Sequence, residues 1–391
     1  MSSPHSADIF IQGKKLSVDV AAIEKELTAL WQEVAVDQDA EQTANAQSEN
    51  QRAVMRACTL NLVVIAYDDH TADRAVNAIA EFTSRHPCRA IVTIVDAEAE
   101  KDELSAYVSA HCHLPVAGAK QVCCEQISVI ARGQAVQEVP GTVLPLLIGD
   151  LPVVLWWRHG LPQDSAIFER LLGASDHLIF DSATGQDLGV TFATANALHA
   201  NWKFGFVIDL NWLRLTGWRE MISQFFELPD LAESVRGITH VILAMARTTE
   251  ELELSQPALL IGWLAAQLNW RLNEPFAATE NGLRALWQAE NGEITTEILT
   301  EELPEPGLAR VSLIVQHNQQ QTEFLIACIP GENGATLQAT ISGFGQRVQE
   351  APAYVRPFNE NSLAALMARA LDRNQRDEIY EKALRKATQL L

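Results

Sequence analysis

The first half of the chain alternates short apolar runs with amphipathic stretches. TLNLVVIAY (59–67), RAIVTIVDA (89–97), KQVCCEQISVIARG (120–133), PVVLWW (152–157) and HLIFD (177–181) read as buried strands. Between the first two, Ala72, Val76, Ile79, Ala80 and Phe82 recur at helical spacing. Further helices are expected in the acidic segment after residue 97, around Leu144–Ile148 and near Ser165–Leu172. Strand and helix in repeated alternation mean an α/β domain with a largely parallel sheet. Upstream, Ile23, Leu27, Leu30, Trp31 and Val34 lie on one face of a helix. The polar DQDAEQTANAQSEN (37–50) reads as a mobile linker.

The texture changes after about residue 200. NWLRLTGWREMISQFF (211–226) and the strongly apolar PALLIGWLAAQLNW (257–270) read as helices, with GITHVILAMA between them as a strand. The acidic, turn-rich ENGEITTEILTEELPEPG leads to RVSLIVQH (310–317), TEFLIACI (322–329) and ATLQATISG (335–343), close enough in sequence for an antiparallel meander. Helices around 361–371 and 375–390 follow. The fold class expected is therefore α/β in two domains. A helix and linker occupy 1–50, an α/β domain with a largely parallel sheet 51–200, and an α+β domain with an antiparallel meander 201–391.

Charge narrows the function. Against 29 basic residues stand 50 acidic ones, a net −21 over 391 residues. Phosphate recognition needs a positive footprint, so neither nucleic acid nor an anionic membrane is an expected partner. The apolar runs are too short to span a bilayer, and MSSPHSADIF lacks the pattern of a signal peptide, so a cytoplasmic protein is expected. The six cysteines then read as small core residues rather than a disulfide framework.

Candidate chemistry gathers at strand ends: Asp68, Asp69, Asp96, Arg158, His159, Asp181 and Ser182. In an open α/β sheet ligands bind outside the carboxyl ends of the strands. These residues are therefore either helix caps or an anion or sugar-phosphate site with Arg158 as the fork. HCH (111–113) with Cys123 and Cys124 matches no zinc signature, and no metal is expected. Cys123 and Cys124 would point to opposite faces of a strand. The chain has no GxGxxG after its first strand, no GxxxxGK[ST], no GxSxG and no HExxH, so no cofactor is expected. Its nine tryptophans cluster, with Trp212, Arg214, Trp218 and Arg219 close together on one segment. Core packing and an aromatic, Arg-rich interface are both open readings.

LPLLIGDLPVVLWWRHG (144–160), ASDHLIFDSA (174–183) and IDLNWLRLTGWRE (208–220), in this order, resemble the glucose-6-phosphate dehydrogenase assembly protein family, OpcA. HPCRAI (86–91), VCCEQI (122–127) and LIGWLAAQLNW (260–270) are similar to further blocks of that family. The resemblance covers about residues 60 to 270 and looks more like the cyanobacterial branch. It implies a non-enzyme that activates or assembles glucose-6-phosphate dehydrogenase, the NADP-dependent entry step of the oxidative pentose phosphate pathway. The residues it brings forward as partner contacts are Trp156, Trp157, Arg158, Asp181, Ser182, Trp212, Arg214, Trp218 and Arg219. In cyanobacteria that pathway responds to thiol redox state, which makes Cys88, Cys123 and Cys124 candidate redox groups. Two rivals stand beside this reading: an enzyme acting on a sugar phosphate at Arg158 and Asp181, and a thiol redox relay.

Overall fold

The computed structural model describes residues 9–12, 19–31, 55–56, 58–113, 122–185, 187–227, 231–246, 253–301, 307–317, 320–331, 335–343, 355–357 and 362–391. The 37–50 segment expected as a linker lies outside them. The chain forms two compact units that interleave along the sequence. One comprises 1–181, 202–208 and 363–374, the other 182–201, 209–362 and 375–391. The sequence suggests contiguous units instead, 51–200 and 201–391, after a helix and linker over 1–50.

In the first unit the described strands are β1 (Ile9–Gln12), β2 (Met55–Arg56), β3 (Leu60–Ala66), β4 (Cys88–Asp96), β5 (Glu103–His113), β6 (Val122–Arg132), β7 (Val153–Trp157), β8 (His177–Phe180) and β9 (Phe206–Asp209). Its helices are α1 (20–31), α2 (Asp69–Phe82), α3 (Val139–Val143), α4 (Ala166–Leu172) and α9 (Leu363–Leu371). The sheet runs β1-β5-β6-β4-β3-β7-β8-β9, with β2 also on β6. From β6 through β8 the pairing is parallel. With the antiparallel β5 set aside, the order β6-β4-β3-β7-β8-β9 is the doubly wound 3-2-1-4-5-6 pattern, which reverses between β3 and β7. Every residue of β3 is buried, as a central parallel strand covered on both faces requires.

One expected helix is a strand. The acidic start of 97–113 suggested a helix, yet Ala106, Val108 and Ala110 recur at period two and are buried, and β5 pairs antiparallel with β6. At the amino end of the parallel strands a buried ion pair secures α1. Arg89 Nε lies 2.6 Å from Glu125 Oε1, and its Nη1 lies 2.6 Å from Glu24 Oε1 on α1. Trp31 of α1 donates its indole N–H to Glu125 Oε2 at 3.2 Å.

The second unit holds α5 (Leu188–Asn201), α6 (Leu210–Arg214), α7 (Thr216–Glu227), α8 (Ser255–Gln267) and α10 (Glu378–Leu390). Its strands are β10 (Ile238–Ala246), β11 (Arg271–Thr279), β12 (Gly282–Ala289), β13 (Gly292–Glu301), β14 (Gly307–His317), β15 (Gln320–Ile329), β16 (Thr336–Ser342) and β17 (Val355–Pro357). They form one sheet, β11-β12-β13-β10-β14-β15-β16-β17. The expected meander is β14–β15–β16, extended by β17, and every pairing is antiparallel except β10 with β13. The turn-rich reading of ENGEITTEILTEELPEPG missed β13, whose Ile294, Thr296 and Ile298 alternate inward. Phe225 of α7 meets Phe324 on the inner face at a centroid separation of 5.0 Å. Helix α8 is buried from Ser255 to Ala265, and it crosses α10 closely at Gly262. A Cβ there would fall 2.4 Å from the Ala383 carbonyl oxygen and 2.7 Å from the Ala387 nitrogen.

Candidate functional site

Strand order puts the topological switch point of the first unit at the carboxyl ends of β3 and β7, where the winding reverses. The residues there are Tyr67, Asp68, Trp157, Arg158 and His159. The Arg158 N–H extends the ladder to the Ile65 carbonyl at 2.9 Å. Alternation along β7 sends Trp156 and Arg158 one way and Trp157 and His159 the other. The Arg158 guanidinium carbon lies 4.8 Å from the Trp156 ring centroid. On the opposite side Tyr67 meets Trp157 edge-on at 5.9 Å and tilts over His159 at 4.9 Å. Trp157 in turn packs on Phe168 at 4.9 Å and donates its indole N–H to the Gly160 carbonyl at 3.2 Å.

Asp68 caps α2. Its carboxylate accepts the Thr71 backbone N–H at 2.6 Å and the Thr71 hydroxyl at 2.8 Å. The Thr71 backbone bond, aided by the charges of His70 and Arg158, holds the Asp68 carboxyl below its ordinary range. The helix N-terminus that would cradle a pyrophosphate in a dinucleotide-binding fold thus holds a fixed negative charge. Asp96 also serves its own turn, accepting the Glu98 N–H at 3.2 Å. Helix and turn capping account for both acids.

In the second unit the 209–220 segment builds a buried polar network. It forms two helices rather than one, α6 and α7, parted at Leu215. Asp209 caps α6: its Oδ1 accepts the Asn211 N–H at 2.9 Å and the Ser182 N–H at 3.0 Å. Its Oδ2 accepts the Tyr380 hydroxyl at 3.2 Å. The Asn211 amide donates to Ser182 Oγ at 3.1 Å and Ser255 Oγ at 2.5 Å, and accepts from Arg214 at 2.8 Å. Trp212 donates to Asp377 Oδ2 at 2.9 Å, while the Arg219 guanidinium lies 3.4 Å over the Trp212 ring. Beside Tyr380, His199 Nδ1 faces Glu381 Oε1 at 3.4 Å, and Arg376 holds the same carboxylate at 2.8 Å.

The sequence candidates therefore divide between two cores. Trp156, Trp157, Trp212 and Trp218 are each at most 1 % exposed, which corrects their reading as surface contacts. Large flat rings adjoining strand and helix residues fill the interior first. Arg158, Asp181 and Ser182 are also buried, so Arg158 is not an open phosphate fork. Arg214 and Arg219 are half-buried. Cys88 and Cys124 are buried with their sulfurs 3.3 Å apart, and the contact with Cys124 together with burial pushes the Cys88 thiol well above its ordinary range. That corrects Cys88 as an exposed, low-pKa thiol. The side chains of His111, Cys112, His113 and Cys123 lie outside the described residues. Among the described residues, no group of three His, Cys, Asp or Glu is placed to hold a metal.

Sequence reasoning did not single out Tyr67, Tyr380 or Asp377. Their only signal was position, a strand end and a helix cap, and the side chains that Asp377 and Tyr380 meet, Trp212 and Asp209, lie 165 and 171 residues away in sequence.

Residues 77–197 match the family described as glucose-6-phosphate dehydrogenase subunit N-terminal domain, and residues 206–384 match the corresponding C-terminal domain. The chain belongs to the OpcA family. It is 27 % identical over 314 residues to a Synechococcus elongatus protein provisionally described as the OxPP cycle protein OpcA, covering 77 % of this chain and 67 % of that protein. A Nostoc punctiforme protein of the same description is 30 % identical over 196 residues, which cover 49 % of this chain and 40 % of its own length. The chain thus spans two thirds or less of these OpcA relatives. Among solved structures it is similar to a mutant of KijD10, a 3-ketoreductase from Actinomadura kijaniata, at 14 % identity and a TM-score of 0.45 over 85 % of this chain and 95 % of that one. A Kluyveromyces lactis regulator, Gal80p, follows at 10 % and 0.43, over 84 % and 86 %. Likeness that distant carries no argument about activity. The OpcA blocks WWR and DLNWLRL are, in this fold, core strand and capped helix. No helix among the described residues is long and apolar enough to cross a membrane.

Proposed function

We propose that this chain is a non-catalytic subunit that binds glucose-6-phosphate dehydrogenase and favours its active state. The observation that carries the reading is that both matched domains, together spanning most of the chain, are described as parts of a dehydrogenase subunit. The switch-point turn supports the non-catalytic part, because Asp-Asp-His-Thr stands where a dinucleotide cradle needs glycines. Trp156, Trp157, Trp212 and Trp218 then serve by holding each unit rigid. Arg214 and Arg219, each half-buried, are the members of the original set that keep some exposed surface.

An activator must bind the active conformation of its target more tightly than the inactive one, and a tenfold population shift takes about 1.4 kcal/mol of differential binding. The test is dehydrogenase activity at sub-saturating glucose 6-phosphate, titrated with this protein. Saturable activation, with no turnover by this protein alone, is the expected result. An unchanged rate with the cognate dehydrogenase, or turnover of a sugar phosphate by the isolated protein, overturns the reading.

A further inference from the structure

The sheet of the second unit carries aliphatic side chains on both of its faces. Inward, Val241 and Leu243 of β10 and Val311 and Leu313 of β14 are buried, as the core side of an antiparallel sheet requires. The alternate positions of such a sheet ordinarily meet water and are polar. Here the strand registers bring Ile242, Leu299, Ile314, Leu325, Ala327 and Ile329 to the outer face, spread over the four adjacent strands β13, β10, β14 and β15. Each keeps part of its surface exposed, Ile329 43 % of it. The charges between them are matched within the chain. Arg310 pairs with Glu301, the Ser312 hydroxyl donates to Glu323 Oε1 at 2.5 Å, and Arg284 stands opposite Glu297 in the register of β12 with β13.

Across a two-fold axis a surface meets its own image, so unpaired charge near the axis repels and apolar side chains face one another. A face whose ions are matched in place, with aliphatic residues between them, meets that condition. Its size fits as well. Eight strands spaced about 4.8 Å apart, over a height of about 20 Å, present roughly 700 Å², close to the about 800 Å² that each partner of a standard interface buries. Two sheets with the same hand of twist stack face to face about 10 Å apart. The net charge of −21 is spread over the whole surface and screened beyond about 8 Å at physiological ionic strength, so it weakens such a contact without forbidding it. A bilayer fits poorly, because lipid headgroups need free cations and Arg284 and Arg310 each stand against a glutamate. We propose that a second copy of this chain covers the outer face of this sheet in a two-fold dimer. The inference goes beyond the dehydrogenase reading and does not depend on it.

The experiment is sedimentation velocity of the purified chain over a dilution series, which reads the self-association constant. The wild type is expected to be a dimer at micromolar concentration. Ile242→Glu and Leu325→Lys each set a charge among the aliphatic residues of the outer face and are expected to weaken the dimer at least about tenfold. Ile379→Glu, a charge at a 48 % exposed position on α10, is expected to leave it unchanged. Leu325→Thr keeps a good strand former at that position and is expected to weaken the dimer severalfold, so the face stays testable where a charged variant does not fold. A wild type that stays monomeric throughout the series overturns the inference. So does a dimer that Leu325→Thr and the charged variants leave intact. A monomeric wild type whose binding to the dehydrogenase is lost in Leu325→Thr gives the face to that partner and overturns the inference as well.

Discussion

Tyr380 donates its hydroxyl hydrogen to Asp209 Oδ2 across 3.2 Å, joining α10 to the cap of α6 over 171 residues of sequence. Burial, with the Asp209 charge beside it, pushes the Tyr380 hydroxyl well above its ordinary range, so it remains a donor. Tyr380→Phe keeps the ring contacts with His199 at 5.4 Å and Trp212 at 5.5 Å and deletes only this bond. A buried bond to a charged acceptor contributes about 1.5–3 kcal/mol, and urea unfolding of the variant should show a loss of that size. A variant as stable as its parent would remove Tyr380 from the network.

His199 gives the second unit a pH dependence of definite sign. Burial drives its pKa down from 6.5 to about 4, against the attraction of Glu381 and with the repulsion of Arg376 and Arg385. The unfolded chain therefore binds more protons than the folded one between those values, and stability rises with pH across that window. The contribution is complete above about pH 6.5 and is lost as pH falls towards 4. Between pH 7 and pH 5 the expected loss is on the order of 2 kcal/mol. His199→Gln should flatten this part of the profile in denaturant titrations at stepped pH, and an unchanged slope would reject the assignment.

How much of this was legible in the sequence follows from what each element depends on. The strands β3, β4, β7 and β8 were readable because parallel strands buried on both faces are continuous apolar runs. The meander was readable because its strands follow one another directly. Strand β5 was hidden behind an acidic start, and β13 behind the Gly and Glu of a turn-rich stretch, where local propensity says little and pairing decides. Strand order, and with it the switch point at Tyr67 and Trp157, depends on long-range pairing that no local pattern records. The same holds for the Tyr380–Asp209 bond.

The Arg89–Glu125 pair lends itself to a comparison of single and double replacements. Glu125 is fully buried and the Arg89 side chain is 5 % exposed. Glu125→Leu leaves the buried Arg89 Nε without its acceptor while Nη1 keeps Glu24 and the Leu146 carbonyl, and should cost about 1–3 kcal/mol, whereas Arg89→Met with Glu125→Leu removes both buried charges and should cost less than the sum of the two single changes. A double-variant loss equal to that sum, read from chemical denaturation, would contradict this.

Gly262→Ala tests the α8–α10 crossing. Because the atoms in the way are the Ala383 carbonyl and the Ala387 nitrogen, backbone groups rather than flexible side-chain ends, the helices must separate to admit a methyl. A loss of about 1–3 kcal/mol is expected, opposite in sign to the gain that Gly→Ala gives in an open helix. A stabilised variant, by thermal melt, would show the crossing to be looser than drawn.

Asp68 stands where a doubly wound fold receives a phosphate. In a doubly wound fold the pyrophosphate of a dinucleotide rests on the N-terminal amides of the first crossover helix, here α2. Asp68 already accepts the Thr71 N–H at 2.6 Å, and its lowered pKa keeps it charged there. The wild type should therefore show no saturable NADP binding by fluorescence or calorimetry up to millimolar concentration. Asp68→Asn separates charge from capping, since Asn caps nearly as well, and should leave stability almost unchanged. Asp68→Ala should cost about 1 kcal/mol. Neither change supplies the glycines that let a backbone approach a phosphate, so neither should create a nucleotide site. Micromolar NADP binding by the wild type would make the carboxyl edge of the sheet a candidate active site and displace the subunit reading.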